Sequence, residues 1–297
     1  MDKISNEPKR RIFLWTVPRS LATVFTKCMS FAEGVQIIKE PMLVAHIFGP
    51  EGTAAEDHEI RKTFKEGVVS PESQTGKVAL AFDVSIATFQ WVKQMLESPF
   101  PGKSFVFVHD QAFCLRSSYD NIPRGYTHTF LVRNPYRLFP SWKKSVVKQV
   151  PSCIDKPFAE MIKNAVAKFG YGELYDLIVH VQENLGHTPI VIDADDLQAN
   201  PLSILRQYCH LLGVEFKESM LQWEAGNEIA DTWIASKMAK QRHKVKEGGF
   251  FDVAFKSTEF HPPRELPSRD QIDPDLLPLI DQYMPLYEKM YSMRIRP

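Results

Sequence analysis

The sequence predicts a three-layer α/β fold in which a mainly parallel central sheet is flanked by helices. The first observation is that short apolar runs alternate with longer amphipathic stretches along the chain. The second is a globular composition, with 44% hydrophobic and 24% charged residues among 297. Because no linker or internal repeat divides the chain, we expect residues 11–297 to form a single domain, preceded by an N-terminal extension at residues 1–10.

The apolar runs give the candidate strands and the amphipathic stretches give the candidate helices. The strands are predicted at Arg11–Trp15, Val35–Ile38, Val78–Phe82, Ser104–His109, Thr127–Val132 and Pro189–Ile192. The helices are predicted at Ser20–Phe31, Ile86–Glu97, Pro135–Val147, Phe158–Asn184, Pro201–Leu212 and Asp275–Tyr291. Asn134 and Asn200 precede first-turn prolines and are expected to cap their helices. Residues 49–76 and 226–267 look irregular, and either could form a lid or a substrate-facing loop.

Charge and cysteine usage exclude several classes of protein. The 36 basic and 36 acidic residues balance, so a nucleic-acid partner is not expected. The four cysteines form no Cys-x-x-Cys pair and the histidines show no metal-ligand spacing, so we expect neither a disulfide framework nor a metal site. The polar N-terminus is unlike a secretory signal, and no apolar run reaches about 18 residues. We therefore expect a cytoplasmic protein without a membrane partner.

The first strand, its following turn and the next helix form a candidate anion site. An apolar strand ends before the segment PRSLAT at residues 18–23, in which a basic residue and hydroxyls open an amphipathic helix. Backbone N–H groups at a helix N-terminus attract anions, and Arg19, Ser20 and Thr23 would add donors for a phosphate. The alternative is an ordinary turn with a surface arginine. The P-loop signature Gly-x-x-x-x-Gly-Lys-[Ser/Thr] is absent here, which argues against a nucleotide kinase.

A second strand leads into a helix in the same way. Arg133 stands at the carboxyl end of the strand Thr127–Val132, where open α/β sheets bind ligands. Ser141 follows eight positions later, about two helical turns on. An arginine at the strand end and a serine on the helix could hold one phosphate from two sides. ATP carries no 3′-phosphate for such a clamp, which also argues against a kinase.

Together these segments resemble motifs of the sulfotransferase family, which uses the donor 3′-phosphoadenosine 5′-phosphosulfate (PAPS). Residues 18–23, PRSLAT, are similar to its 5′-phosphosulfate loop, PRSGTT or PKSGTT, and residues 133–137, RNPYR, with Ser141 are similar to its 3′-phosphate motif, RDPRD followed by a serine. Residues 195–201 and the later Leu-Gly-Val at 212–214 resemble a third family segment. The resemblance covers about two-thirds of the chain and implies the P-loop-like sulfotransferase fold.

The resemblance also implies roles for individual residues. Arg19 would bridge the phosphosulfate as the loop cation and stabilise the departing charge. Residues Ser20, Leu21, Ala22 and Thr23 would bind the 5′-phosphate, whereas Arg133 and Ser141 would bind the 3′-phosphate. Lys246, in a segment faintly similar to the family's RKG loop, would also contact the 3′-phosphate. No metal is required for this chemistry.

The sequence departs from the family pattern at three of these places. Leu21 replaces the usual loop glycine, so the backbone must approach the phosphate with a side chain present. Asn134 replaces an aspartate, and Ala194 stands where many cytosolic members have a tyrosine near the adenine.

Two residues are candidates for the catalytic base, and the sequence leaves the choice open. Glu40 follows the strand Val35–Ile38, where some sulfotransferases place a glutamate, although it could equally open a helix before Pro41. His109 ends the next strand but one and is suited to accept a proton near pH 7, yet a structural histidine would fit there too. The register also puts His109 at the lysine position of the Lys-x-His segment of cytosolic members, and Gln111 at the histidine's.

The interpretation is a PAPS-dependent sulfotransferase that acts on a hydroxyl or amine of a small-molecule acceptor. Its second product would be 3′,5′-adenosine bisphosphate. Two alternatives remain: a catalytically silent nucleotide-binding or scaffold protein on the same fold, and a nucleotide kinase-like P-loop enzyme. The sequence identifies neither the acceptor nor the oligomeric state, so a homodimer stays open.

Overall fold

A five-stranded parallel sheet forms the centre of the computed structural model, which describes residues 8, 10–53, 80–115, 118–149, 151–161, 170–244 and 251–297. The described strands are β1 (Arg10–Thr16), β2 (Val35–Lys39), β3 (Ala81–Phe82), β4 (Phe105–Gln111), β5 (Thr127–Val132), β6 (Ile190–Asp193) and β7 (Ala235–Ser236). The large sheet has the order β2-β4-β1-β5-β6, and β3 pairs with β7 in a separate two-stranded ribbon.

Helices cover both faces of the sheet. The described helices are α1 (Ala22–Met29), α2 (Pro41–Ile47), α3 (Phe89–Glu97), α4 (Pro135–Gln149), α5 (Phe158–Met161), α6 (Tyr171–Glu183), α7 (Ala194–Ala199), α8 (Pro201–Leu212), α9 (Lys237–His243), α10 (Asp252–Lys256) and α11 (Leu277–Ser292). Phe13 and Trp15 of β1 pack into the core shared with α3, α4, α6 and α11, whereas Ile12 and Leu14 pack into the core shared with α1 and α8. Side chains that alternate between two apolar cores explain why β1 is almost uniformly apolar. The predicted three-layer α/β architecture is confirmed.

Three predicted elements differ from those observed. The strand predicted at Val78–Phe82 is described only from residue 80 onward, and its described part pairs with β7 instead of joining the large sheet. The helix predicted at Phe158–Asn184 is interrupted, because Gly170 has a φ of 74° and separates α6 from α5. The region 226–267, predicted to be irregular, contains the short helices α9 and α10.

The helix caps also depart in part from the prediction. Asn134 does receive a hydrogen bond at the start of α4, from the backbone N–H of Tyr136 to its Oδ1 at 2.9 Å. Asn200 makes no such bond. Asp193 instead caps α7, with its Oδ1 accepting from the backbone N–H groups of Asp195 and Asp196. An aspartate at the end of a buried strand therefore fixes the chain reversal there.

Short backbone segments pair with the outer strands of the sheet. Beside β2, Ile234 donates its N–H to the carbonyl of Ile37 and accepts from the N–H of Lys39, both at 2.9 Å. Beside β6, Ile295 donates its N–H to the carbonyl of Val191, also at 2.9 Å. Among the described residues, no helix combines the length and the apolarity needed to cross a bilayer.

The order of the strands determines where a ligand can bind. From β1 the chain passes to β2 on one side, and from β4 it passes to β5 on the other side of β1. A crevice therefore opens beyond the carboxyl ends of these central strands, as it does at switch points of other open α/β sheets. The segments 17–21, after β1, and 133–134, after β5, both border this crevice.

Candidate active site

The turns that leave β1 and β2 hold unusual backbone conformations. Arg19, Leu21 and Glu40 have φ values of 67°, 70° and 52°, and they are the non-glycine residues with positive φ in the part of the chain that the structure describes. Side chains rarely tolerate this left-handed region, which costs on the order of 1–3 kcal/mol per residue and is concentrated at functional sites. Leu21 thus adopts the conformation that a glycine would take without strain, at the position where the sulfotransferase loop motif usually has a glycine.

A cleft of about 610 Å³ opens at this edge of the sheet. It brings together residues that lie more than 120 positions apart in the sequence. Its walls include the predicted site residues Arg19, Ser20, Leu21, Ala22, Thr23, Glu40, His109, Arg133 and Ser141. Lys246 falls in the segment 245–250, outside the described residues.

Arg19 and Arg133, two arginines that line the cleft, are joined by a hydrogen bond from the side chain of one to the backbone of the other. Arg133 Nη1 donates to the carbonyl oxygen of Arg19 at 2.6 Å, and Tyr171 Oη donates to the carbonyl oxygen of Arg133 at 2.6 Å. Burial, together with the positive charge of Arg133, lowers the pKa of Arg19 to about 10, and burial also lowers the pKa of Arg133. Both guanidinium groups remain cationic at neutral pH, so the cleft carries concentrated positive charge.

Two polar atoms at the base of the cleft have hydrogen-bonding capacity left over. The Oγ of Ser20 and the Nε of Arg133 are buried, and neither has a hydrogen-bond partner among the described residues. A buried donor without a partner is costly unless a ligand or solvent satisfies it. Because a guanidinium N–H and a hydroxyl both suit a phosphate or sulfate oxygen, these residues fit an anionic ligand.

Arg137, the second arginine of the RNPYR segment, has a different environment. Its Nε donates to Asp195 Oδ2 at 2.6 Å, and its Nη2 donates to the carbonyl oxygen of Arg264. Arg137 therefore connects α4 to the start of α7 and to the segment that precedes α11. Arg133 lines the cleft, whereas Arg137, four residues later, joins elements of the fold.

One face of α4 lines the cleft over two turns. Ser141, Lys144, Ser145 and Lys148 all border it, at the spacing of residues on one helix face. The sequence resemblance singled out only Ser141, although the i, i+3, i+4, i+7 spacing on one helix face also points to the two lysines. Lys148 also pairs with Asp252, at 3.7 Å between Nζ and Oδ2.

His109 borders the cleft, and both of its ring nitrogens have close partners. Its Nδ1 is 2.9 Å from Lys39 Nζ and its Nε2 is 3.1 Å from Thr16 Oγ1. The side chain is only 2% exposed. Burial and the charge of Lys39 hold its pKa well below the usual range, so the ring is neutral at pH 7.

Glu40 is more accessible than His109, and its side chain makes no capping hydrogen bond to the described residues at the start of α2. Its side chain is 12% exposed and borders the cleft, with Oε1 2.8 Å from Lys39 Nζ. The N-terminus of α2 is capped from another strand, because Asp110 Oδ2 accepts from the backbone N–H of Met42 at 2.5 Å. The backbone of Glu40 thus begins helix α2, as one interpretation of the sequence predicted. Its carboxylate takes no part in capping the helix and faces the cleft instead.

The described residues contain no cluster of three or more histidine, cysteine, aspartate or glutamate side chains that could hold a metal ion.

Comparison with known proteins identifies the family of the chain. A family model described as "Sulfotransferase domain" matches residues 10–294, almost the whole chain. The chain belongs to the sulfotransferase family.

Curated relatives of this sulfotransferase-family chain are distant. It is 24% identical over 277 residues to "Branched-chain-amino-acid aminotransferase-like protein 2" of Arabidopsis thaliana. The matched region covers 93% of this chain and 40% of that protein. It is 30% identical over 105 residues to "Sulfotransferase ppzF" of Metarhizium majus, covering 32% of the chain and 30% of the relative. The chain thus spans well under half the length of these relatives.

Among solved structures, the chain is similar to the sulfotransferase domain of the Synechococcus PCC 7002 olefin synthase. The sequence identity is 15% and the TM-score 0.47, with 96% of this chain and 98% of that chain covered. It is also similar to the sulfotransferase domain from the curacin biosynthetic pathway, with 13% identity and a TM-score of 0.45 over 94% and 99% of the two chains.

Proposed function

We propose that this sulfotransferase-family protein transfers a sulfuryl group from PAPS to a hydroxyl or amine of a small-molecule acceptor. The observation that carries the proposal is the convergence of Arg19, Ser20 and Arg133 from two strand ends in one cleft, with buried polar atoms at Ser20 and Arg133 that find no hydrogen-bond partner in the described part of the chain. Such a cleft suits a ligand with separate anionic groups.

Each group of the donor has candidate contacts in the cleft. The loop of residues 19–23 would bind the 5′-phosphosulfate through Arg19, the Ser20 hydroxyl and backbone N–H groups at the start of α1. Arg133 and Ser141 would bind the 3′-phosphate, and Lys144 on the next turn of α4 would add positive charge beside it. The donor supplies an activated sulfuryl group on a phosphate leaving group, and Arg19 would stabilise the charge that develops on that phosphate.

The acceptor must lose a proton as its oxygen or nitrogen bonds to sulfur. Both candidate bases border the cleft, but Glu40 is the better one, because its side chain is 12% exposed whereas His109 is 2% exposed and both of its ring nitrogens have close partners. In this proposal Glu40 takes the acceptor's proton while the bond between sulfur and the leaving phosphate oxygen breaks. A carboxylate at the end of β2 would also orient the acceptor next to the donor loop.

The experiment that tests the proposal is a calorimetric titration with 3′,5′-adenosine bisphosphate, with AMP and ATP as controls. We expect tight binding of the bisphosphate and at least tenfold weaker binding of AMP, which lacks the 3′-phosphate. Preference for ATP would favour the kinase-like alternative and overturn the proposal. Transfer of labelled sulfate from PAPS to a panel of hydroxyl and amine acceptors then separates an active enzyme from a silent nucleotide-binding protein.

The cellular location and the partners of the protein are part of the same proposal. We propose a cytoplasmic location, a small-molecule acceptor, and neither nucleic-acid nor membrane partners. Size-exclusion chromatography with light scattering would decide between a monomer and a homodimer.

A further inference from the structure

A buried lysine connects the two candidate bases. The side chain of Lys39 has 0% exposure and does not border the cleft. Its Nζ lies 2.8 Å from Glu40 Oε1 and 2.9 Å from His109 Nδ1. A fully buried ammonium is costly unless its hydrogens are satisfied, so these two contacts account for its position.

The register of the sheet brings these groups together. Lys39 and His109 are directly paired between the parallel strands β2 and β4, and His109 is paired with Leu14 of β1. Side chains at paired positions of neighbouring strands lie on the same face of a sheet, which places the Lys39 amine beside the His109 ring. Lys39 also lies over the ring of Phe251, with Nζ 5.4 Å from its centroid, which shields it from solvent.

The partners of His109 determine its tautomer. An ammonium has only donors, so Lys39 Nζ donates to Nδ1, and the ring proton must be on Nε2. Nε2–H then donates to Thr16 Oγ1, at 3.1 Å, and the Thr16 hydroxyl donates to the carbonyl oxygen of Asp110, at 3.3 Å. A neutral ring bonded on both sides acts as a rigid spacer between β1, β4 and the lysine.

Glu40 is attached to the same histidine twice. Its backbone N–H donates to the carbonyl oxygen of His109 at 2.7 Å, and its carboxylate reaches the His109 ring through Lys39. With the left-handed backbone at Glu40, these contacts hold the carboxylate at the cleft wall. From these contacts we propose that Lys39 is the positioning residue for the Glu40 carboxylate and that His109 fixes Lys39 in place, an inference that rests on the proposed function of Glu40.

The decisive experiment is a double-mutant cycle on turnover with Lys39→Met and Glu40→Gln. We expect Lys39→Met to lower kcat on the order of 10²-fold, as small misplacements of a reacting group do, with the affinity for 3′,5′-adenosine bisphosphate within about twofold of the wild type. In the Glu40→Gln background the same change should cost little further, because Lys39 acts through Glu40. Additive losses, or a Lys39→Met enzyme with wild-type kcat, would overturn the proposal.

Lys27 provides a matched control. It is also a buried lysine, 1% exposed, but its Nζ donates to the carbonyl oxygens of Phe255 and Ser257 rather than to a carboxylate. Lys27→Met should lower the melting temperature, and its effect on kcat should be the same in the wild-type and Glu40→Gln backgrounds. Non-additivity for Lys27 equal to that for Lys39 would show a general structural effect and would overturn the proposal.

A measurement that needs no turnover separates this inference from the proposed function. In ¹⁵N spectra of the wild-type protein at pH 7, His109 should show a protonated Nε2 and an unprotonated Nδ1, and Lys39→Met or Lys39→Gln should change the Nδ1 signal. The opposite tautomer in the wild type would overturn the positioning proposal, even in an active enzyme. An inactive wild type with the expected tautomer would contradict the proposed function but support the lysine–histidine contact.

Discussion

The turns that follow β1 and β2 share a left-handed backbone conformation but differ in whether their polar side chains already have partners. Both strands leave the sheet through non-glycine residues with positive φ, Arg19 and Leu21 after β1 and Glu40 after β2. After β1 the turn holds a buried hydroxyl at Ser20 with no partner among the described residues. After β2 the charged side chain already has its partner, because Lys39 contacts Glu40.

The difference between the two turns lies in what completes them. The β1 turn is left with donor capacity that a bound anion would use, so its energetics depend on a ligand. The β2 turn is satisfied within the protein, so its carboxylate is already positioned before any ligand binds. Changes at Ser20 and Arg133 should therefore act mainly on donor binding, and changes at Glu40 and Lys39 mainly on the rate.

The largest effect is expected at the β2 turn, from Glu40→Gln. The amide keeps the shape of the side chain but cannot take a proton, so kcat should fall about 10²–10⁴-fold. The affinity for 3′,5′-adenosine bisphosphate should stay within about twofold of the wild type. Single-turnover transfer and calorimetry measure the two quantities, and a variant with near-normal kcat would remove Glu40 from the reaction.

Arg133→Met tests the ligand-dependent side of the comparison. Loss of a charged hydrogen bond costs about 1.5–3 kcal/mol, so the affinity for 3′,5′-adenosine bisphosphate should fall roughly 10- to 150-fold. AMP binding should change little, because AMP has no 3′-phosphate. Arg137→Met is the matched control, since that guanidinium pairs with Asp195 and its loss should lower stability without changing selectivity between the two nucleotides. Equal losses for both nucleotides in Arg133→Met would exclude a 3′-phosphate contact.

The β2 side should also be the source of an acid-dependent loss of stability. Burial, together with the charges of Lys39 and Lys240, lowers the pKa of His243 to about 3. Below the unfolded-state pKa of about 6.5 the unfolded chain takes up a proton that the folded ring refuses. The stability contributed by the neutral ring is therefore complete above that pH and lost as the pH falls, by about 1.4 kcal/mol per unit.

His243→Phe isolates this contribution. The ring nitrogens have no hydrogen-bond partner among the described residues, and the aromatic rings of Trp233, Phe251 and Phe255 surround the site. We expect the variant to lose less stability than the wild type between pH 7 and pH 5 in urea unfolding. Parallel pH profiles for the two proteins would show that His243 is protonated in the folded state.

The smallest effect is expected from a pair of changes at Leu21. Both Leu21→Gly and Leu21→Ala remove the side chain, but only alanine retains the penalty for the left-handed conformation of about 1–2 kcal/mol. The greater freedom of glycine in the unfolded chain offsets part of this difference. The glycine variant should therefore be more stable than the alanine variant by about 1 kcal/mol or less. Equal stabilities in denaturant unfolding would mean that this turn relaxes and stores no strain.

The sequence predicted the frame of the molecule well because the strands of the large sheet are apolar runs. The hydrophobic runs predicted strand ends at Trp15 and Val132, which agree within one residue with the observed ends, and so placed Arg19 and Arg133 just beyond the two strands. The end of β2 was harder, since the role of Lys39 depends on its pairing with His109 across the sheet, and parallel register is not encoded locally.

Long-range contacts also explain what the sequence could not show. His109 looked like a candidate base because a histidine at a strand end is suited to proton transfer, yet its environment is created by Thr16 and Lys39 from two other strands. The cap of α2 comes from Asp110, 68 positions beyond Met42. The strained conformation of Leu21 is likewise set by the elements that its turn must join, because leucine itself does not favour it.

The backbone hydrogen bonds that Ile234 and Ile295 make with the outer strands have a consequence far from the cleft. An uncovered edge strand offers unpaired N–H and C=O groups to other molecules and invites aggregation. Ile234 occupies such groups beside β2 through two hydrogen bonds of 2.9 Å, and Ile295 occupies one beside β6 through a single hydrogen bond of 2.9 Å. Resistance of this sheet to edge-to-edge association thus depends on two short segments, and substitution of Ile295 by proline, which has no N–H to donate, should promote aggregation while the cleft stays intact.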